Sequence, residues 1–195
     1  MPPAVGWAEC ASWVAECPTE PPQARSLRLE ISIPSGWEAD ADATIIVPSH
    51  GSTEGPTGAG LEIGWTTPTA GLHSDPCQAE PHLAPDTPVG PTVGEFVDAV
   101  LAHPTLQISE PVDVELGGYR GKYFQLTAPP DISMCRDWRP FEPGIYAQGP
   151  NNLWSIWVID VEGFRMIVLT EEFPGTSAKD SAALRSMVES IRFVP

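Results

Sequence analysis

With 195 residues the chain is long enough to bury one sizeable core, and 26 acidic against 10 basic residues give it a net charge of −16. A surface of that sign repels phosphate backbones and anionic bilayers, which excludes nucleic acid as a partner and leaves an unknown protein or small ligand. The 23 prolines imply long loops and linkers, and no apolar run approaches the ~20 residues that cross a bilayer, so membrane association needs an anchor that is not visible.

Residues 1–26 mix Pro, Glu and small residues without a sustained period and read as a linker or loosely attached arm, and residues 27–195 as one domain, expected as a monomer. The N-terminus shows neither a basic segment nor a continuous apolar one, and Glu16 spoils a lipobox ending at Cys17. The expectation is therefore the exported part of something larger, or a misplaced start. From Ser26, the residues Leu27, Leu29, Ile31 and Ile33 alternate with Arg28, Glu30 and Ser32, the period of a half-buried strand. Pro34, Ser35 and Gly36 end it, Trp37 packs back on the core, and residues 43–47 form a second strand. Leu61, Ile63 and Trp65 alternate in a third. Residues 68–91 carry repeated Pro among His73, Asp75, Cys77, His82 and Asp86, and predict a long loop, pinned or functional.

Thr92 and Glu95 have the spacing of a capping box, and Val93, Phe96, Val97, Val100 and Leu101 share one helical face, so a helix should run to His103, ahead of Pro104. Val112, Val114 and Leu116 alternate with acidic residues. Gly117 and Gly118 then turn the chain into a returning strand over 122–128. Residues 145–148 read as a short strand and Asn151 and Asn152 as a turn. Residues 154–161 and 164–169 read as a central hairpin turned by Glu162 and Gly163. Ser177 and Asp180 resemble a second capping box. Leu184, Met187, Val188 and Ile191 then mark the packing face of a final helix. About seven strands and two helices, without regular βα alternation, give an α+β class: an antiparallel or mixed sheet packed by two helices.

The search for chemistry is less productive. Ser49, His50 and Ser52 lie together in a loop without a nucleophile elbow, and Gly58 and Gly60 precede a strand where a phosphate cradle needs a helix. No catalytic residue and no cofactor follow. Cys10, Cys17, Cys77 and Cys135 contain no C-x-x-C pair, which favours disulfides over metal. A Cys77–Cys135 bridge would close a loop of about 60 residues, worth ~4 kcal/mol, and a Cys10–Cys17 bridge ~2.5 kcal/mol. Either needs an oxidising compartment. His73, Asp75, His82 and Asp86 have metal-binding residue types, but at spacings that match no helix or strand face. Trp138, Phe141, Tyr146, Trp154 and Trp157, with Arg136 and Arg139 beside them, are either anchors for a partner or core under a folded-over loop. Trp154 and Trp157 must face opposite sides of one strand, so at least one is core.

The segments 118–127 (GYRGKYFQLT), 154–163 (WSIWVIDVEG), 173–177 (FPGTS) and 188–192 (VESIR) resemble a family of actinobacterial extracytoplasmic domains of unknown function, over roughly residues 28–195. The order of strands and helices is similar to the PsbP-like α/β/α sandwich of mycobacterial lipoproteins. The resemblance implies a secreted or membrane-anchored location, and places a disulfide at Cys77 and Cys135; it supplies no catalytic residue. The leading expectation is a non-catalytic binding or interaction domain at the cell envelope. Its recognition face would be Trp138, Phe141, Tyr146, Arg136 and Arg139 with the cysteine loops. Two alternatives stay open: a metal-dependent or other hydrolase built on His73, Asp75 and His82 in the 73–86 loop, and the sensory domain of a membrane signalling protein.

Overall fold

The structure is a computed structural model that describes residues 28–40, 44–49, 55–65, 71–78, 85–142 and 146–194. In chain order the elements are β1 (Arg28–Glu30), β2 (Trp37–Ala39), β3 (Ile45–Pro48), β4 (Ala59–Trp65), β5 (Gly71–Leu72), β6 (Cys77–Gln78), β7 (Thr87–Pro88), α1 (Val93–Ala102), β8 (Gln107–Ile108), β9 (Val112–Leu116), β10 (Tyr119–Thr127), β11 (Asp137–Trp138), β12 (Phe141–Glu142), β13 (Leu153–Val161), β14 (Phe164–Glu172), α2 (Ala178–Ser190) and β15 (Arg192–Val194). The main sheet runs β2-β3-β4-β14-β13-β10-β8, with β9 also pairing β10, and every pair in it is antiparallel.

Two tight hairpins set the centre of this sheet. Glu162 and Gly163 both take positive φ (55° and 88°), as do Gly117 and Gly118 (60° and 92°). Two consecutive left-handed residues match the right-handed twist of the flanking strands, so each turn fixes its register. Asp160 Oδ1 accepts from the Gly163 N–H at 2.7 Å and reinforces the first turn.

The pleat then divides β13 between two cores. Trp154, Ile156 and Val158 pack on one face with Phe96, Val97 and Val100 of α1. Ile159 and Val161 pack on the other with Leu184, Met187 and Val188 of α2. In β14, Ile167 and Leu169 join the first core, Met166 and Val168 the second. One helix therefore covers each face, and the class is α+β, as the periodicity predicts. Both helix starts are capped as expected: Thr92 Oγ1 accepts from the Glu95 N–H (3.2 Å) while Glu95 Oε2 accepts from the Thr92 N–H (3.0 Å). Ser177 Oγ accepts from the Asp180 N–H (3.1 Å). At 13 residues α2 is marginal alone, and the buried face supplied by Leu184, Met187 and Val188 holds it.

The structure departs from the sequence reading in three places. The first strand stops at Glu30, because its partner β15 is only three residues long. Beyond it the Ser32 N–H turns to Ser190 Oγ (2.9 Å), and Ile33 stays 38% exposed. Residues 146–148 form no strand: the Ala147 N–H is taken by the Trp138 carbonyl (2.8 Å) and the Gln148 N–H by Asn152 Oδ1 (3.1 Å). The described parts of the 68–91 segment are more ordered than a plain loop. There β5 pairs with β12 and β7, and β6 with β11, so two small ladders lie over the α1 face. The Cys77–Cys135 disulfide ties them, with a Cα–Cα distance of 4.8 Å across 58 residues.

Candidate functional site

A single row of polar residues crosses the apolar centre of the sheet. Gln125 of β10 stands opposite Ser155 of β13, which stands opposite Thr170 of β14. One step along, Tyr123 stands opposite Trp157, their rings 4.9 Å apart and tilted by 47°. By the two-residue period all of these point to the α2 face. They floor a groove of about 820 Å³, walled by Ser181, Leu184, Arg185 and Val188 of α2 and by the β9–β10 turn. Leu184 and Val188 are buried and close the apolar end, whereas Glu115, Arg185 and Glu189 stand exposed at the rim.

The floor is organised by hydrogen bonds among its own side chains. Tyr123 Oη and Gln125 Nε2 each donate to Ser155 Oγ at 3.3 Å. Ser181 Oγ donates to Glu172 Oε1, linking α2 to the end of β14. Arg192 is committed to the end of α2, donating to the carbonyls of Glu189 (2.8 Å) and Ile191 (2.6 Å). The described lining contains no His or Cys, and Ser155 is engaged by a phenol and an amide, neither of which is a general base near neutral pH. The groove is equipped to orient a ligand by an aromatic pair, hydroxyls and an amide.

Of the aromatic and arginine residues singled out in the sequence, Trp157 alone belongs to this groove; the others lie on the opposite, α1 face, and the structure separates them. Trp138 (5% exposed) and Phe141 (0%) are core residues. Phe141 meets Phe96 edge to face at 5.4 Å, and Trp138 lies 5.7 Å from Trp154. They stabilise the layer from within and present no surface to a partner. Tyr146 and Arg136 are exposed, and Arg139 is half-buried, ion-paired to Glu142 with its guanidinium 5.9 Å from the Tyr146 ring centre. Trp154 is buried and Trp157 half-buried on the other side, the split the strand period requires.

In the described part of the histidine loop, His73, Asp75 and Asp86 are engaged separately. His73 is buried, its N–H donating to the Pro140 carbonyl (3.0 Å) and its own carbonyl bonded by His103 Nε2 (2.9 Å). Burial lowers its pKa below the ordinary histidine value. Asp75 is exposed and accepts from the Cys77 N–H (2.9 Å), and Asp86 binds Ser74 through both oxygens. Among the described residues no three His, Cys, Asp or Glu side chains group to hold a metal; His82, Cys10 and Cys17 lie outside them.

The groove was missed because its residues are spread from 115 to 192. One signal was available. Ser155 and Thr170 are polar positions flanking the apolar middle of two strands that the hairpin turn places in register.

No family model matches the chain, and no curated protein matches it. Among solved structures the chain is similar to LpqN of Mycobacterium tuberculosis, a protein involved in cell envelope biogenesis. The two share 11% identity with a TM-score of 0.45, over 87% of this chain and 84% of that one. Among the described residues no helix is long and apolar enough to cross a membrane.

Proposed function

We propose that this chain is a non-catalytic binding domain that works outside the cytoplasm, at the cell envelope, and that it takes its ligand in the groove between α2 and the sheet. The groove carries this reading. Its volume of about 820 Å³ falls within the range of small-ligand sites. Its floor sets Tyr123 and Trp157 beside the hydroxyl of Ser155 and the amide of Gln125. The Cys77–Cys135 disulfide supports the location, since such bridges persist in oxidising compartments. The likeness of four sequence segments to extracytoplasmic actinobacterial domains supports the envelope.

Indole serves as a probe, because its ring suits the aromatic pair and its N–H the floor hydroxyls. In a titration followed by amide and indole NMR signals, saturable shifts are expected at Tyr123, Gln125, Ser155 and Trp157. Gln125→Trp, which places a large ring in the groove, should abolish them. Shifts that gather around Tyr146 and Arg136, or that never saturate, would move or remove the site.

A further inference from the structure

The opposite face of the same strands holds two carboxyl groups that the groove does not use. Glu62 of β4 pairs with Leu169 and Glu171 of β14 with Gly60, so the two glutamates are diagonal neighbours on the α1 face. Glu171 is 2% exposed, and the Oε2 atoms of Glu62 and Glu171 are both buried without a hydrogen-bond partner. The Glu171 carboxyl lies on Gly60, where a Cβ would come within 2.9 Å of Oε1; only glycine leaves the space. Among the described residues, the charged and polar groups that act on the pair are the following. Asn152, just before β13, and Trp154 of β13 approach Glu171. Glu142, Arg139 and Asp40 act on Glu62, and His73 lies beyond them, coupled to the same Arg139 and Glu142. Arg139, the one cation among the described residues that acts on Glu62, is ion-paired to Glu142.

We infer that Glu62 and Glu171 stay protonated while buried and act as a pH-sensitive latch, seating the disulfide-tied layer of β5, β6, β11 and β12 on the sheet. Below the transition both carboxyls are neutral. When their protons leave to solvent, two like charges face each other in an apolar setting, and water must enter between sheet and layer to hydrate them. Burial is the chief cause that raises both groups, Glu171 to about 8 and Glu62 to about 7, which puts the transition near neutrality. Leu72, Trp138 and Phe141 seat the layer on the α1-face core, whereas its own backbone ladders are short and its loop bonds few, Arg139 N–H to the Pro76 carbonyl (2.7 Å) and His73 N–H to the Pro140 carbonyl among them, so the edges of the layer are where water enters and local opening is read. The Cys77–Cys135 bridge keeps the opening local.

Hydrogen exchange at about pH 6 and about pH 8.5, corrected for intrinsic rates, tests the latch. Protection of the Arg139 and His73 amides should fall by about tenfold or more at the higher pH, the equivalent of one pK unit, while amides of β13 do not change. Glu62→Gln/Glu171→Gln should lose this dependence, and His73→Gln should keep it. Unchanged protection in the unmodified protein overturns the inference, as does the same fall in the double variant or its loss in His73→Gln. If the double variant does not fold, carboxyl-carbon NMR of the unmodified protein decides. A midpoint above about pH 6 for either glutamate upholds the latch, and ordinary midpoints near 4.5 for both overturn it.

Discussion

Replacing Glu171 by Gln keeps the size of a buried side chain and removes its ionisation. Burial, with the neighbouring Glu62 second, pushes Glu171 from 4.5 to about 8, and Asn152 and Trp154 oppose the shift only in part. Between these values the unfolded chain has lost the proton that the folded one retains. Folding therefore takes up a proton, and stability falls as pH rises from about 4.5 to about 8. At about 1.4 kcal/mol for each unit, the loss reaches about 3 kcal/mol at pH 7 and about 5 kcal/mol at pH 8, for this residue alone. Apart from a constant offset, Glu171→Gln should gain steadily on the unmodified protein as pH rises above about 4.5. Burying the extra amide N–H costs roughly 1–3 kcal/mol and lowers the whole curve of the variant without changing its slope. Urea unfolding with the disulfide intact, at half-unit steps from pH 4.5 to 8.5, measures both. Parallel curves for the two proteins would show that Glu171 ionises normally and would refute the shift.

Three further outcomes follow from the packing. Cys77→Ser/Cys135→Ser should lose ~4 kcal/mol, from the entropy of a 58-residue loop, read as a lower urea midpoint. Trp138→Ala and Phe141→Ala should each cost ~3–5 kcal/mol in the same assay, while Tyr146→Ala, at 41% exposure, should stay within ~0.5 kcal/mol. Thr92→Ala should cost ~1 kcal/mol by removing the cap of α1, with loss of helical signal confined to that helix.

What could be read from the sequence was local. Glu162 and Gly163 announce a turn on their own, Thr92 and Glu95 a helix start, and Leu184, Met187 and Val188 a buried face; each needs only neighbours within a few positions. Ladders of two residues such as β6 with β11 carry no period to detect, and their pairing depends on a bridge between residues 58 apart. Trp138 illustrates the remaining gap. An aromatic side chain beside an arginine has the same sequence signature on a surface as in a core, and only the position of Trp154 beneath it decides. Glu62 reads as the polar side of an alternating strand, and Glu171 lies past the end of the strand read over 164–169. Their burial arises because the layer tied by Cys77 and Cys135 folds over that side, a long-range fact.

The pairing of β1 with β15 is antiparallel, with Arg28 beside Val194. The described chain therefore enters and leaves at one spot, and tension applied through both ends loads this short ladder like a zipper, opening it one bond after another. The eight-stranded sheet carries none of that load until β1 and β15 have parted. A pull through both ends is thus met first by a three-residue ladder, while the groove and the buried carboxyls stay mechanically quiet.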